Sequence, residues 1–351
     1  MKIGLLTFHC AHNYGAVLQA YALQEVLKSR GHKVEFIDYR NSKLLNIYKW
    51  FVWQRFKTKN IKRIIKETTL LPNRKLRYDN FQHFIKTKLS ISKHLYCLSS
   101  YDLIVIGSDQ VWNTKLTHGF DSMYWGNWEH HNTIVVSYGA SMEDYISPDT
   151  KIELSNLLKN FDFISVRENS IKNQLENLTN KKIDVVIDPT LLLNREHWLE
   201  IKKKNIIKDN YILLYQVRNN EKAEKIAKQI SEYLNMRIVH LSAHVDLCND
   251  RETVSSGPLE FLSLFRYARF VVCTSFHGTI FSLIYHIPFC SITLGDGKDA
   301  RVINILSEIG LNDRGISSYT QRIYAPISWE DVDNKITQMR LKSINYLKQF
   351  C

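Results

Sequence analysis

No two cysteines of this chain form a CxxC pair, and its six thiols (Cys10, Cys97, Cys248, Cys273, Cys290 and Cys351) follow no regular spacing. That pattern is neither a zinc site nor a disulfide framework, so no metal is expected and a reducing cytoplasm is the expected setting. Neither GxGxxG nor GxxxxGK[ST] occurs, which removes the usual support for a dinucleotide or P-loop nucleotide site. The opening "MKIGLLTFHC" has too short an apolar run for a signal peptide and lacks a small-residue cleavage site, so it reads as a buried strand. Internal repeats and low-complexity tracts are missing too.

Long charge-free runs are confined to one place. "TSFHGTIFSLIYHIPF", Thr274 to Phe289, has no Asp, Glu, Lys or Arg in a chain that is 23% charged. The surrounding window is about long enough for a membrane span. However, Thr274, Ser275, His277, Gly278, Thr279 and Ser282 interrupt it and Pro288 ends it. A strand "FVVC" turning into a helix "GTIFSLIYH" accounts for the same letters and puts the polar groups at the turn.

What is present reads as a globular α/β protein. At 351 residues and 44% apolar content the chain exceeds what one core usually serves, so two domains are expected. "KIGLLTF", a helix "AVLQAYALQEVLKSRG" opening at Ala16, and "KVEFIDY" make a βαβ unit with a parallel sheet. "YDLIVIGSDQVWN", "NTIVVSYGAS", "FDFISVRENS" and "KIDVVIDPTLLL" continue the strand rhythm, with polar residues at their ends. A second series starts at "YILLYQV" and runs through "RFVVCTSFHG" to "PFCSITL". The expected fold is two Rossmann-like domains with an interdomain cleft. The expected boundaries are an N-terminal domain 1–190, a linker 191–209, a C-terminal domain 210–327, and a final helix 328–351 packed back on the N-terminal domain.

Several strand ends carry chemistry. Asn13, Tyr14 and Gly15, with Gln19 one turn on, form an anion or sugar pocket at a helix start, or only a tight turn. Ser108, Asp109, Gln110, Trp112 and Asn113 suit hydrogen bonding and stacking on a sugar ring, and Asp109 can take a proton from a hydroxyl; the alternative is an Asp capping a helix. Arg167 beside Glu168 is either a two-pronged anion ligand or an ordinary ion pair. His277 can donate a proton and bind an anion alongside the amides of Gly278 and Thr279, or it is a packed core histidine. "LGDGKDAR" brings Lys298 and Arg301, as an anion-covering loop or a solvated one.

"NYGAVLQAYALQ", "IGSDQVWN", "VREN", "IDPTLLL", "SGPLEFLSLFRYARFVVCTSFHGTIFSL" and "ARVINIL…IGLNDR", in this order, resemble the polysaccharide pyruvyl transferase family. The resemblance spans the chain except about 43–78. It implies a fold like the two-domain GT-B glycosyltransferases and phosphoenolpyruvate as donor, without a metal or organic cofactor. It also implies transfer of the enolpyruvyl unit onto two hydroxyls of one sugar, giving a pyruvate ketal and phosphate. In that reading His277 is the general acid or phosphate clamp, and Arg167 holds the donor. Asp109, Asn13 and Gln110 orient a sugar acceptor, expected as a lipid-linked oligosaccharide at the inner membrane face. Some family members carry Arg two residues before this histidine, as R-x-H-G. Here that position is Ser275, and Arg301 or Lys298 is expected to compensate.

The net charge of +12 is local: fifteen Lys and Arg between Arg40 and Lys93 face only Glu67 and Asp79. Within about 43–78 lie Tyr48, Trp50, Phe51, Trp53 and Phe56. Read as a helix, Ile47, Trp50, Phe51, Ile61, Ile64 and Ile65 share an apolar side flanked by lysines, so Trp50, Phe51 and Trp53 are expected to dock on a membrane. The alternative is a solvated helical pair on the N-terminal domain. Two rival functions stand beside the transferase: a glycosyltransferase using a nucleotide sugar, and a non-enzymatic nucleic-acid or membrane binder. No recognised nucleic-acid motif accompanies the charge, so no nucleic-acid partner is expected.

Overall fold

A computed structural model describes the chain except residues 58–59, 94–96, 143–145, 218–219, 246–249, 251 and 296–298. The chain divides into two compact units. One comprises Met1–Tyr48, Ile85–Leu193 and Ile336–Cys351; the other comprises Lys49–Phe84 and Asn194–Lys335.

The first unit is built on six parallel strands: β1 (Lys2–Leu6), β2 (Lys33–Phe36), β3 (Leu103–Asp109), β4 (Ile134–Ala140), β5 (Ile164–Val166) and β6 (Ile183–Val185). Their order is β2-β1-β3-β4-β5-β6. Leu5 lies opposite both Phe36 and Val105, which sets the register of the central three strands. The strands read as continuous apolar runs because helices cover both faces of such a sheet. α1 (Tyr14–Ser29) is buried from Tyr14 to Gln24 without a break, so it is a core helix. It begins two residues before Ala16 because the Asn13 side chain caps it, accepting from the Ala16 N–H at 3.3 Å. The short helix α2 (Ser42–Asn46) follows, then α3 (Ile61–Lys88), α4 (Thr114–Thr117), α5 (Lys151–Leu158) and α6 (Asn169–Leu175).

The second unit has five parallel strands, β7 (Tyr211–Gln216), β8 (Arg237–Ser242), β9 (Phe270–Cys273), β10 (Phe289–Ile292) and β11 (Gly315–Ile316), in the order β11-β10-β9-β7-β8. Its helices are α7 (Arg195–Ile201), α8 (Glu221–Leu234), α9 (Pro258–Tyr267), α10 (Phe276–Tyr285) and α11 (Ala300–Ile309). The last helix, α12 (Trp329–Leu347), starts in this unit and enters the first at Ile336. Each unit is thus a Rossmann-like α/β layer structure. Among the described residues no helix is long and apolar enough to cross a membrane; "FVVC" and "FHGTIFSLIY" are β9 and α10.

Three details differ from the sequence reading. Residues 191–209 are not a plain linker: they contain α7, whose Trp198 is fully buried against Phe281. The basic segment is not one helix but α2, a turn at 53–55 and the 28-residue α3, which runs on through Pro72. Residues 49–84 also belong to the second unit, not the N-terminal one. Arg77 donates to the Ser242 and Ala243 carbonyls at 2.9 Å each, and Asn80 donates to the Ser255 carbonyl at 2.9 Å.

Gly107, within β3, shows how tightly the first sheet is closed. It sits at φ +114, and a Cβ there would overlap the Tyr138 carbonyl oxygen of β4. Gly107→Ala is therefore expected to destabilise the protein by about 2–4 kcal/mol, since backbone must move in addition to the strained φ. Denaturant unfolding measures this, and a loss under 0.5 kcal/mol, by the same scale for harmless surface changes, would contradict it.

Candidate functional site

In open parallel sheets, ligands sit beyond the carboxyl ends of the strands where the strand order reverses. In the first unit that point lies between β1 and β3, and in the second between β7 and β9. The loops there carry most of the residues singled out above.

Of the first-unit candidates, Asn13, Asp109 and Gln110 are partly exposed. Asp109 ends β3 at φ +75. The others turn inward. Trp112 is fully buried, donates its indole N–H to the Tyr124 carbonyl at 2.9 Å, and stacks on Trp125 at 4.5 Å between centroids. It is a core residue with no face left for a sugar. Ser108 is buried and donates to the Gly139 carbonyl, and Gln19 is buried and donates to Thr7 Oγ1 and the Ala16 carbonyl. Asn113 caps α4, accepting from the Lys115 and Leu116 N–H groups. Tyr14 and Gly15 are buried in the first turn of α1.

Two residues beside this edge were missed. Tyr48 lies close enough to Asp109 that burial and the Asp109 charge together push its hydroxyl pKa up to about 12. His12, in the β1 loop, faces it with ring centroids 6.2 Å apart. His12 adjoins the "NYG" motif, which was a readable hint; Tyr48 was obscured by its place in the basic segment.

Arg167, just past β5, is almost wholly buried, with Nη1 2.7 Å from Asp188 Oδ2, Nε 3.2 Å from Glu168 Oε1 and Nη2 3.8 Å from Asp109 Oδ1. Burial alone would lower its pKa, but the Glu168, Asp188 and Asp109 carboxylates raise it further. One cation among three carboxylates leaves a negative surplus. Arg167 is thereby tied to Asp188 and Glu168 and lies beside Asp109. Glu168 Oε1 also accepts from the Ser141 hydroxyl at 2.9 Å, whereas buried Glu168 Oε2 has no partner among the described residues.

A second polar group closes the β1 and β2 loops. His9 donates from Nδ1 to the Thr7 carbonyl at 3.1 Å and from Nε2 to Asp38 at 3.3 Å, with Arg40 on the same carboxylate at 2.7 Å. Burial would lower the His9 pKa, but the Asp38 bond and Cys10 outweigh it and raise it from 6.5 to about 9. The His9 bond, with help from Arg40, holds Asp38 well below the ordinary carboxylate range. His9, Cys10 and Asp38 are the one grouping of three possible metal-ligand types among the described residues, with ligand atoms within 4.8 Å of one another. The His9–Asp38–Arg40 ion pairing accounts for their closeness.

In the second unit, Ser275 stands at the N-cap position of α10 without a side-chain cap bond, and His277 is buried in the first turn. The first amides of a helix have no intrahelical acceptor, so those of Phe276, His277 and Gly278 point outward along the axis. Gly278 is required for packing: a Cβ there would lie 2.8 Å from Cys273 Cβ and 3.0 Å from the Tyr215 ring. Thr279 is buried and bonds Ser291 Oγ at 2.7 Å, so it contributes structure instead of a ligand contact. Arg301, on α11, stacks its guanidinium over Phe276 at 5.6 Å, and Phe276 in turn meets His277 edge-on at 5.3 Å. Arg301 therefore reaches the turn that Ser275 opens. Lys298 lies outside the described residues. His286, which read as structural, bonds Arg195 and Asp333 and stacks on Trp329.

A family model for polysaccharide pyruvyl transferase matches residues 13–296. Comparison with curated proteins gives no match. Among solved structures, UDP-GlcNAc 2-epimerase from Methanocaldococcus jannaschii aligns over 97% of this chain and 93% of its own, at 13% identity and TM-score 0.47. The MnaA–UDP structure from S. aureus covers 97% and 88%, at 11% and 0.46. E. coli ADP-heptose LPS heptosyltransferase II covers 97% and 99%, at 9% and 0.33.

Two outcomes follow from the charge pairing. Arg167→Met is expected to cost about 3–5 kcal/mol, because it leaves buried carboxylates uncompensated; a near-neutral change in urea unfolding would refute the network. His9 has its pKa raised on folding, so its pairing stabilises in full below about pH 6.5 and fades as pH rises through about 9. The stability gap between wild type and His9→Asn should shrink by roughly 3 kcal/mol from pH 6 to pH 9.5. A gap that stays constant would show that His9 is neutral throughout.

Proposed function

The chain belongs to the polysaccharide pyruvyl transferase family, and from that premise we propose that it moves the enolpyruvyl group of phosphoenolpyruvate onto two hydroxyls of one sugar. A proton is added to the donor's methylene carbon, the first hydroxyl adds to the adjacent carbon, and the C–O bond to phosphate breaks. The second hydroxyl then closes the ketal. The hydroxyls lose two protons; the balance is one on carbon and one for the released phosphate. Written this way the reaction needs neither a metal nor an organic cofactor.

The observation that carries the donor assignment is the start of α10, where His277, outward amides and the Arg301 stack coincide. A trianionic donor suits a helix N-terminus with a guanidinium beside it. His277 is assigned as the general acid or the phosphate clamp, and Arg301 or Lys298 as the positive charge that some members carry at the position of Ser275. Asp109, with Asn13 and Gln110, is assigned to the acceptor hydroxyls. Arg167 becomes a positioning residue for Asp109. The Glu168 oxygen and the edge formed by His12 and Tyr48 favour a hydroxyl-bearing ligand over an anion. We assign the acceptor to a surface-polysaccharide precursor, in which a lipid-linked oligosaccharide supplies the sugar.

The test is phosphate release from phosphoenolpyruvate together with a gain of about 70 Da on the acceptor, the mass of pyruvate less water expected for that covalent step. His277→Ala should keep its fold by circular dichroism and lose about 10²- to 10⁴-fold in kcat, the range for losing a general acid. Full transfer by that variant would overturn the assignment. Turnover of nucleotide sugars instead of phosphoenolpyruvate would overturn the donor.

A further inference from the structure

The strongest surface feature outside these sites is the basic segment. Its two acidic residues are already used locally: Glu67 pairs with Arg74 at 2.6 Å and lies 3.9 Å from Arg55, and Asp79 pairs with Lys75 at 2.5 Å. The fifteen Lys and Arg between Arg40 and Lys93 thus share only two acidic residues within that stretch of sequence.

Large apolar side chains stand in the open among these charges. Trp53 is 60% exposed and Phe51 40%, and Phe51 gathers Trp50, Trp53 and Phe56 around it at 5.7 to 6.3 Å between ring centroids. On α3, Ile61 is 71% exposed, Ile65 61% and Leu76 51%. At 100° per residue these three fall within about 60° of one another, and Pro72 between them is exposed as well. The opposite side of the helix, through Glu67, Arg74, Arg77 and Phe81, is buried. α3 is thus seated by one side and presents Ile61, Ile65, Pro72 and Leu76 on the other, interspersed with exposed Thr68 and Thr69 and with exposed Lys62, Lys66 and Lys75 nearby.

We infer that the aromatic turn at 50–56 and the outer side of α3 form a docking surface for an anionic lipid bilayer. The surface selects that occupant by its charge and its apolar content together. A second copy of the chain would bring two strongly basic segments together, which repels. A nucleic acid would satisfy the lysines but has no use for Ile61, Ile65 and Leu76, whereas a headgroup layer accepts cations and buries aliphatic and aromatic side chains just below. Trp50 is only partly exposed and lies 5.9 Å from Lys75, so it backs the turn while Phe51 and Trp53 form its tip. The inference concerns binding alone and does not depend on the donor chemistry.

Flotation of the whole protein with vesicles of phosphatidylcholine containing 30% phosphatidylglycerol, on the order of a typical anionic leaflet, tests it. Wild type should float with these vesicles and not with pure phosphatidylcholine. Trp53 emission should also shift to the blue relative to Trp53→Phe. Phe51→Ser/Trp53→Ser should lower partitioning about tenfold or more, and Lys62→Glu/Lys66→Glu at least about 25-fold, at roughly fivefold per positive charge lost. Both variants change exposed side chains, so unchanged thermal unfolding verifies their fold. No flotation of wild type, or equal flotation of wild type and the aromatic variant, would overturn the docking surface. Salt-sensitive binding to an oligonucleotide without vesicle binding would reassign the patch to nucleic acid.

Discussion

A buried guanidinium costs several kcal/mol unless carboxylates meet it, and the carboxyl edge of the first sheet is organised around meeting Arg167. Its partners come from three places in the chain: Asp109 at the end of β3, Glu168 next to it after β5, and Asp188 after β6. Asp188 also accepts from the backbone and hydroxyl of Thr190, which shapes the turn at 189–191. Beneath this cluster Ser137 and Ser165 exchange hydrogen bonds across β4 and β5. The end of α12 closes on the same place, with Tyr346 donating to the Ser137 carbonyl at 2.7 Å and Ser343 accepting from the Ile187 N–H at 2.9 Å. Moving Arg167 would loosen Asp109 and three strand ends together.

The second unit reaches a comparable precision by close packing in place of charge. Gly278 lets α10 lie directly on Cys273 and Tyr215, and Thr279, Ser291 and Cys273 fill the space beneath with small polar groups. Burial pushes the Cys273 thiol pKa up, so it stays protonated and acts as a small packed side chain. The first turn of α10 is thereby held rigid while its amides stay aimed outward. The peptide dipoles give that turn a positive potential.

The strands and the α/β rhythm were legible because a parallel strand buried on both faces is a mainly apolar run, as β1, β3, β4, β7 and β9 are. The strand-end loops were legible for the same reason, since polar letters can return only where the run stops. The direction of each side chain within those loops was not. In "SDQVWN" the residues Asp109 and Gln110 face solvent while Val111 and Trp112 turn into the core, and nothing in the spacing separates them. Nor can local sequence reveal that Arg167 answers to Asp188, twenty-one residues on. The placement of 49–84 was hidden similarly: its contacts, Ser242, Ala243 and Ser255, lie more than 160 residues away.

The two candidate sites differ in sign, and that difference limits what each can take. Around Asp109 a single cation is outnumbered by carboxylates, so a trianionic ligand would be repelled, while hydroxyls can donate to those oxygens without bringing charge. At α10 the balance is reversed. The outward amides of its first turn and the Arg301 guanidinium over Phe276 give that end of the helix a positive character. A pocket of one sign throughout favours ligands of the opposite charge over neutral ones. The carboxylates around Arg167 and the open amides of α10 thus give the strand ends of the two units opposite electrostatic character.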